Sequence, residues 1–507
     1  MTTMAIGLRL LRGSGKHGVI GSILTVAAVA VSTALLLAAV AANTGFAERA
    51  ERDAWRNPQS LPAGQTETAL QLKDVRQWRG QPVTVVDLAA VRDGDRPTPP
   101  GMPRFPAPGE VWVSPALADL LLDPGATKNA PAWLPTGAPT GTLTDDALIH
   151  GQELVLVTGR SPGAVAMDDA VSIADFDHGT PSNNTSTYQI LTGVATVLTV
   201  VPLLVFGGAA ARLTVARRDQ RLAALRLVGA TPAQVVAITV VEAVATAAIG
   251  AVLGALVYVA GIPGLARIEL MGGTWHLGDL WIGPAWLLGI VLAVPLLVGL
   301  SAVAGLRRVV ISPLGVARRQ TPPGLRFARV VVFGGLVVAF LAFARTAMGH
   351  GSAGLVFLAV MGGLAFWGLN LVGPWVVALL GRIVAGLART PATLLAGRRL
   401  TDDPKSAWRT VSGVALTGFV AGFVSLTNPG SIATSDPLAR LLFTDIRTGT
   451  ITVLVATFLV GMVSAGITAA SSVLDRRQTY ALLGLSGTPV DVLDAVRRRE
   501  TLIPLAV

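Results

Sequence analysis

The chain has no cysteine, which excludes disulfides, thiolate metal sites and a cysteine nucleophile and leaves the redox compartment open. Charge is scarce as well: 14% of the 507 residues are Asp, Glu, Lys or Arg, against roughly 25% in an ordinary soluble domain. Apolar residues fill the space, at 52% of the chain with a mean hydropathy of +0.61. One water-soluble core cannot absorb that much apolar sequence. The net charge of +10 and pI near 10.9 are compatible in principle with nucleic acid. Nucleic-acid modules, however, gather their charge on a solvated polar face, whereas here it falls between long apolar runs, and nucleic acid is set aside as a partner.

A bilayer core of about 30 Å takes roughly 20 apolar residues in helical form, because a helix satisfies its own backbone hydrogen bonds in hydrocarbon. Runs at 18–42, 188–210, 234–261, 283–306, 330–348, 353–380, 410–427 and 450–470 meet that requirement, and a ninth starts at Thr501. The first run is longer than the roughly 7–15 apolar residues of a signal peptide and is read as a retained helix. Alternating the spans from a cytoplasmic N-terminus puts Arg212, Arg217, Arg218, Arg221 and Arg226 inside, followed by Arg307, Arg308, Arg318 and Arg319, and then Arg398, Arg399 and Lys405. The short outer loops hold only Arg267, Arg440 and Arg447, as the positive-inside rule requires.

The outer segment 43–187 is far longer than the others. Residues 81–87 and 153–158 read as strands, 115–122 as a short helix and 96–109 as a proline-rich connector, giving a small α+β domain. It contains no nucleophile motif and no metal-ligand spacing. His150 stands alone and His178 has only Asp175 and Asp177 beside it, so both are read as solvated or capped.

The chain repeats itself at a shift of 258 residues. Arg218, Gln220, Ala223, Leu225, Leu227, Gly229, Ala237 and Glu242 align without gaps on Arg476, Gln478, Ala481, Leu483, Leu485, Gly487, Ala495 and Glu500. In the first copy Arg217 and Arg221 share one helical face while Leu222, Leu225 and Val228 line another. This amphipathic helix ends near Gly229. The next begins with Thr231 as N-cap, Pro232 at its first position and Gln234 at its third, the pattern of a capping box. Thr488 and Pro489 offer similar chemistry one residue earlier in register. Such a helix either rests on anionic headgroups or docks a cytoplasmic protein.

Residues 217–231, Arg-Arg-Asp-Gln-Arg-Leu-Ala-Ala-Leu-Arg-Leu-Val-Gly-Ala-Thr, resemble the signature of FtsX-like (MacB-type) ABC permeases, and Arg476, Arg477, Gln478, Leu483 and Gly487 resemble it more loosely. The resemblance implies that each segment is a coupling helix seated on an ATPase dimer. It also implies two four-helix modules, the second incomplete, joined by two extra helices. The implied divisions are 1–42, a first helix; 43–187, the outer domain; 188–320, the rest of the first module; 321–394, the linker; and 395–507, a second module short of its last spans. Residues 311–315, Ile-Ser-Pro-Leu-Gly, look like the family's exit segment. With the Arg-, Ala-, Gly- and Val-rich composition, the resemblance implies an actinobacterial plasma-membrane protein. Mg-ATP would be bound and hydrolysed by the partner, and this chain would carry no cofactor, metal or catalytic residue. The implied outcome is export of a lipid-linked or amphipathic substrate, or mechanical signalling to an extracytoplasmic protein or sensor kinase.

Two further features bear on function. Gly13-Ser-Gly-Lys16-His17 lacks the preceding Gly and following Ser or Thr of a phosphate loop. Glu242 lies in an apparent span and, as an intramembrane carboxylate, would suit a proton-driven transporter. Its counterpart Glu500, however, follows Arg497, Arg498 and Arg499, which places this level at the inner interface, where the carboxylates pair with nearby arginines. A sensor whose outer domain binds an antibiotic or peptide and acts through a partner is the third alternative.

Overall fold

The computed structural model describes residues 15–200, 231–311, 328–347, 351–421, 437–475, 485 and 490–505, apart from short gaps inside these ranges. It is a mainly helical, membrane-embedded protein, with one small sheet among the described residues. Among the described residues, five helices are long and apolar enough to cross a bilayer, at Ser22–Ala54, Val236–Leu265, Gly283–Val303, Gly363–Gly386 and Arg440–Val463.

Helix α1 (Gly15–Ala54) runs for 40 residues, about 60 Å at 1.5 Å per residue, twice what a bilayer core needs. Its apolar part ends near residue 43. The polar continuation through Ala47-Glu-Arg-Ala-Glu-Arg-Asp-Ala54 stays helical because Ala, Glu and Arg are strong helix formers and nothing breaks the run.

The sheet domain follows. Its strands are β1 (Ala69–Trp78), β2 (Gln81–Ala90), β3 (Val111–Val113), β4 (Gly141–Thr142), β5 (Leu154–Gly159) and β6 (Val171–Ile173), in the order β4-β3-β5-β2-β1-β6. β1 and β2 form a hairpin in which Trp78 pairs with Gln81. Arg79 and Gly80 turn it with φ of 54° and 78°, the two positive values a type I′ turn demands. β2 runs parallel to β5, and β3 antiparallel to β5. Both central strands are buried on both faces. Val86, Leu88, Val155 and Val157 enter one core, while Val83, Val85, Leu154 and Leu156 enter the other beneath helix α2 (Pro115–Leu122).

Helices α3 (Pro232–Leu265) and α4 (Gly283–Ile311) pack in series on α1. The α1–α3 contact runs through Gly250 and Gly254. A Cβ at Gly254 would sit 2.5 Å from the Ala30 carbonyl oxygen, and one at Gly250 would sit 2.7 Å from Val29 Cβ. This is a small-residue seam of the kind that lets helix backbones approach in a membrane.

Helices α5 (Ala328–Ala347), α6 (Gly351–Gly386), α7 (Pro391–Asp402) and α9 (Val490–Leu505) form a second chain of contacts, and α8 (Pro437–Asp475) packs on α1. Gly381 of α6 and Gly397 of α7 lie face to face, each with no room for a Cβ. Thr501, expected to open a span, lies inside α9, which begins at Val490. No breaker separates the cap region from the apolar run, so the helix starts before that run does. The spans expected at 188–210 and 410–427 are described only in part, and residues 201–210 and 422–427 lie outside the described residues.

Candidate functional site

Arg217, Arg218, Gln220, Arg221, Leu225 and Gly229 lie outside the described residues, as do Arg476, Arg477, Gln478, Leu483 and Gly487. Thr231 and Pro232, which follow the first segment, are described. The Gln234 backbone N–H donates to Thr231 Oγ1 at 3.3 Å and the Thr231 N–H to Gln234 Oε1 at 3.0 Å, with Pro232 in the first turn. The reciprocal cap satisfies two N–H groups that the start of a helix would otherwise leave unpaired. α3 starts at Pro232 behind this cap; Thr488 and Pro489, the corresponding pair of the second copy, lie outside the described residues.

Glu242 is half-buried on α3, and Thr246 donates its hydroxyl to the Glu242 carbonyl at 2.8 Å. Glu500 is 3.6 Å from Arg399 of α7. Arg499 donates to the hydroxyls of Thr390 and Thr393, both at 2.8 Å.

The densest polar geometry lies at the opposite end of α3, where the end of α1, the sheet domain, the segment 266–282 and α8 converge. The Arg49 side chain is fully buried. It donates to the carbonyls of Leu270 at 3.0 Å and Thr274 at 2.8 Å, lies 3.5 Å from the Asp279 carboxylate and stacks 3.8 Å from the Trp275 ring centroid. Arg52, one turn on, donates to Asp279 and to the Leu148 carbonyl. Arg56 follows, 1% exposed, forked onto Glu153 at 2.5 and 3.0 Å and donating to the Ala147 carbonyl. Burial works against its charge, but the Glu153 carboxylate overcomes this and holds the guanidinium above its ordinary pKa. Lys73 donates to Asn57 at 2.6 Å, and burial lowers its pKa despite Asp53. Residues 49–56 thus carry cations at successive turns, each held by fixed acceptors from later segments of the chain.

The 266–282 segment presents a tight turn to this junction. Leu270 and Gly273 exchange backbone hydrogen bonds, and Met271 and Gly272 have φ of 62° and 84°. Gly272 supplies the positive φ without cost, whereas Met271 is held in it. The Met271 N–H donates at 2.8 Å to Asp445 of α8, which also accepts from the Tyr188 hydroxyl. A Cβ at Gly273 would fall 2.1 Å from His150 Nδ1.

His150 is therefore no solvated histidine. It is 6% exposed against the turn, and burial holds its pKa below 6.5. His178 is exposed and 2.6 Å from Asp175, and that hydrogen bond raises its pKa. Phe46 meets Trp275 edge-on at 4.7 Å and stacks on Tyr188 at 6.0 Å, which seals the apolar side of the junction.

No family model matches the chain, and no curated protein matches it. The junction therefore stands on its own geometry. Among the described residues no group of three or more His, Asp or Glu side chains is placed to hold a metal ion. What the arrangement can do is mechanical, because guanidinium–carbonyl and guanidinium–carboxylate pairs at successive turns fix an angle as well as a distance.

Arg49, Arg52, Arg56, Asp279 and Asp445 were not singled out by sequence reasoning. A signal existed in Glu48-Arg-Ala-Glu-Arg-Asp-Ala-Trp-Arg56, where charges at helical spacing follow an apolar run without a break.

Proposed function

We propose that this chain is the permease subunit of an ATP-driven transporter of the FtsX-like type. A separate cytoplasmic ATPase dimer binds Mg-ATP and docks on the two basic segments at 217–229 and 476–487. Closure of that dimer displaces the segments, and the movement reaches the extracytoplasmic sheet domain. The outcome is export of a lipid-linked or amphipathic substrate, or activation of an extracytoplasmic partner.

The observation that carries this reading is the continuity of α3. It begins at the reciprocal cap of Thr231 and Gln234, directly after the basic segment, and runs 34 residues to the junction, about 50 Å. The seam at Gly250 and Gly254 holds it against α1, so the two helices move together. At the far end the turn at 270–273 is gripped by Arg49 and His150. A push at one end of this rod has few soft elements to lose itself in before it meets the sheet domain. The ion pair between Glu500 and Arg399 supports a structural role for the repeated carboxylate.

The test replaces Arg217, Arg218 and Arg221 with Glu and measures co-purification with a co-expressed ATPase subunit that binds the wild-type chain. Association and ATPase stimulation should both be lost. Wild-type values for both would remove the coupling assignment.

A further inference from the structure

The shift of 258 residues relates more than the basic segments. Thr192 and Thr199 donate their hydroxyls one turn back, to the carbonyls of Tyr188 and Ala195, both at 2.8 Å. The residues 258 positions on, Thr450 and Thr457, donate to Ile446 at 2.6 Å and Val453 at 2.9 Å. The hydroxyls at these aligned positions are satisfied in the same way, as polar groups inside a bilayer require, which fits the repeat in the sequence.

On this alignment Tyr188 corresponds to Ile446, the neighbour of Asp445. The Tyr188–Asp445 hydrogen bond thus joins near-equivalent points of the two aligned segments. The contact is dry, with Tyr188 7% and Asp445 5% exposed. Asp445 simultaneously accepts the Met271 N–H, so a single carboxylate ties the second copy to the first copy's helix and to the turn that Arg49 grips.

We propose that Asp445 is a latch between the two repeat units at the sheet-domain end, closed on Tyr188 and Met271 in this state and released when the units separate during turnover. The inference rests on the permease reading above, since the ATPase cycle is what drives separation. The chemistry suits a contact that opens. A carboxylate with two directional donors loses its bonds over a short displacement, and at the membrane surface all three groups regain water. An apolar contact of the same area would resist separation over its whole extent.

The absence of cysteine makes the test clean. Tyr188→Cys and Asp445→Cys are introduced together in the full chain, co-expressed with its ATPase, with a protease site placed between residues 321 and 327. A short thiol-reactive cross-linker with a reducible spacer should join the halves in nucleotide-free membranes. The yield should fall several-fold when the ATPase is trapped with vanadate. The cross-linked complex should lose most of its turnover and regain it on reduction. Separately, Tyr188→Phe, which keeps the ring stack and drops the donor, should raise ATP turnover at least twofold without raising transport, while Asp445→Asn, which keeps an acceptor, should stay near wild type.

Equal cross-linking in every nucleotide state, no cross-linking in any, or full turnover while cross-linked would each overturn the latch. Failure of wild-type chain to co-purify with any ATPase overturns the permease reading and the latch together. That result is visible before a variant is made, so the two failures are told apart.

Discussion

Replacing Arg56 with Met should destabilise the sheet domain more than any other single change at the junction. The guanidinium is 1% exposed and forks onto Glu153, itself 12% exposed, and it also holds the Ala147 carbonyl. Removing one partner of a buried pair costs about 3–5 kcal/mol, because the other charge stays buried without compensation. Glu153 keeps the Ile149 N–H at 2.8 Å, which places the expected loss toward the lower end. A loss of that size lowers the melting midpoint of a domain this large by about 10–15 °C.

The double substitution Arg56→Met with Glu153→Leu removes both charges, and it should recover at least half of the loss even though it also strips the Ile149 N–H of its acceptor. The assay is thermal unfolding of the full chain in detergent followed by tryptophan fluorescence, since Trp55, Trp78 and Trp112 all lie buried in or beside the sheet domain. A single-substitution loss under about 1 kcal/mol, the range of surface pairs, would refute the claim that this pair is dry. A double variant no better than the single would show that the loss came from packing and not from an abandoned charge.

Gly254→Leu should force α1 and α3 apart, since the first added carbon already falls 2.5 Å from the Ala30 carbonyl oxygen. The expected cost is about 1–3 kcal/mol or more, together with loss of ATPase stimulation, whereas Gly261→Leu, at a site open to added atoms, should leave both unchanged. Acidification should loosen the junction through His150, whose pKa is held below its ordinary 6.5 chiefly by burial, with Arg49 and His276 adding to the shift and Glu153 opposing it. The unfolded chain takes up a proton as the pH falls through 6.5 and the folded one does not, so this contribution is complete above 6.5 and is lost below it. Melting midpoints at pH 7.5 and 5.5 should differ for the wild type and differ less for His150→Gln; an unchanged difference would assign the pH effect elsewhere.

The membrane character and the positions of the five long apolar helices were legible in the sequence because each is carried by local or periodic signals. A run of apolar residues must find hydrocarbon wherever its neighbours lie, and Thr231-Pro-Ala-Gln234 caps a helix by reaching only three residues along the chain. The strands at 81–87 and 153–158 were likewise visible, though their parallel pairing was not, since that depends on a crossover of more than sixty residues.

The junction was decided only in three dimensions. Arg49 meets Leu270 and Thr274 across more than 220 positions, and Tyr188 meets Asp445 across 257. In the sequence these are ordinary charged residues near span ends, and His150 is an isolated histidine in a loop. Neither burial nor partnership is encoded in neighbouring residues; both arise when α1 continues beyond its apolar part and carries its cations against loops from later segments. Sequence alone therefore determined that this chain is mainly helical and where its long apolar helices lie, because hydrophobic periodicity and capping act over a few residues. Where the helices touch, and how the sheet domain is fastened to them, was left to the tertiary structure, because directional bonds to buried charges exist only once distant segments are brought within about 3 Å of each other.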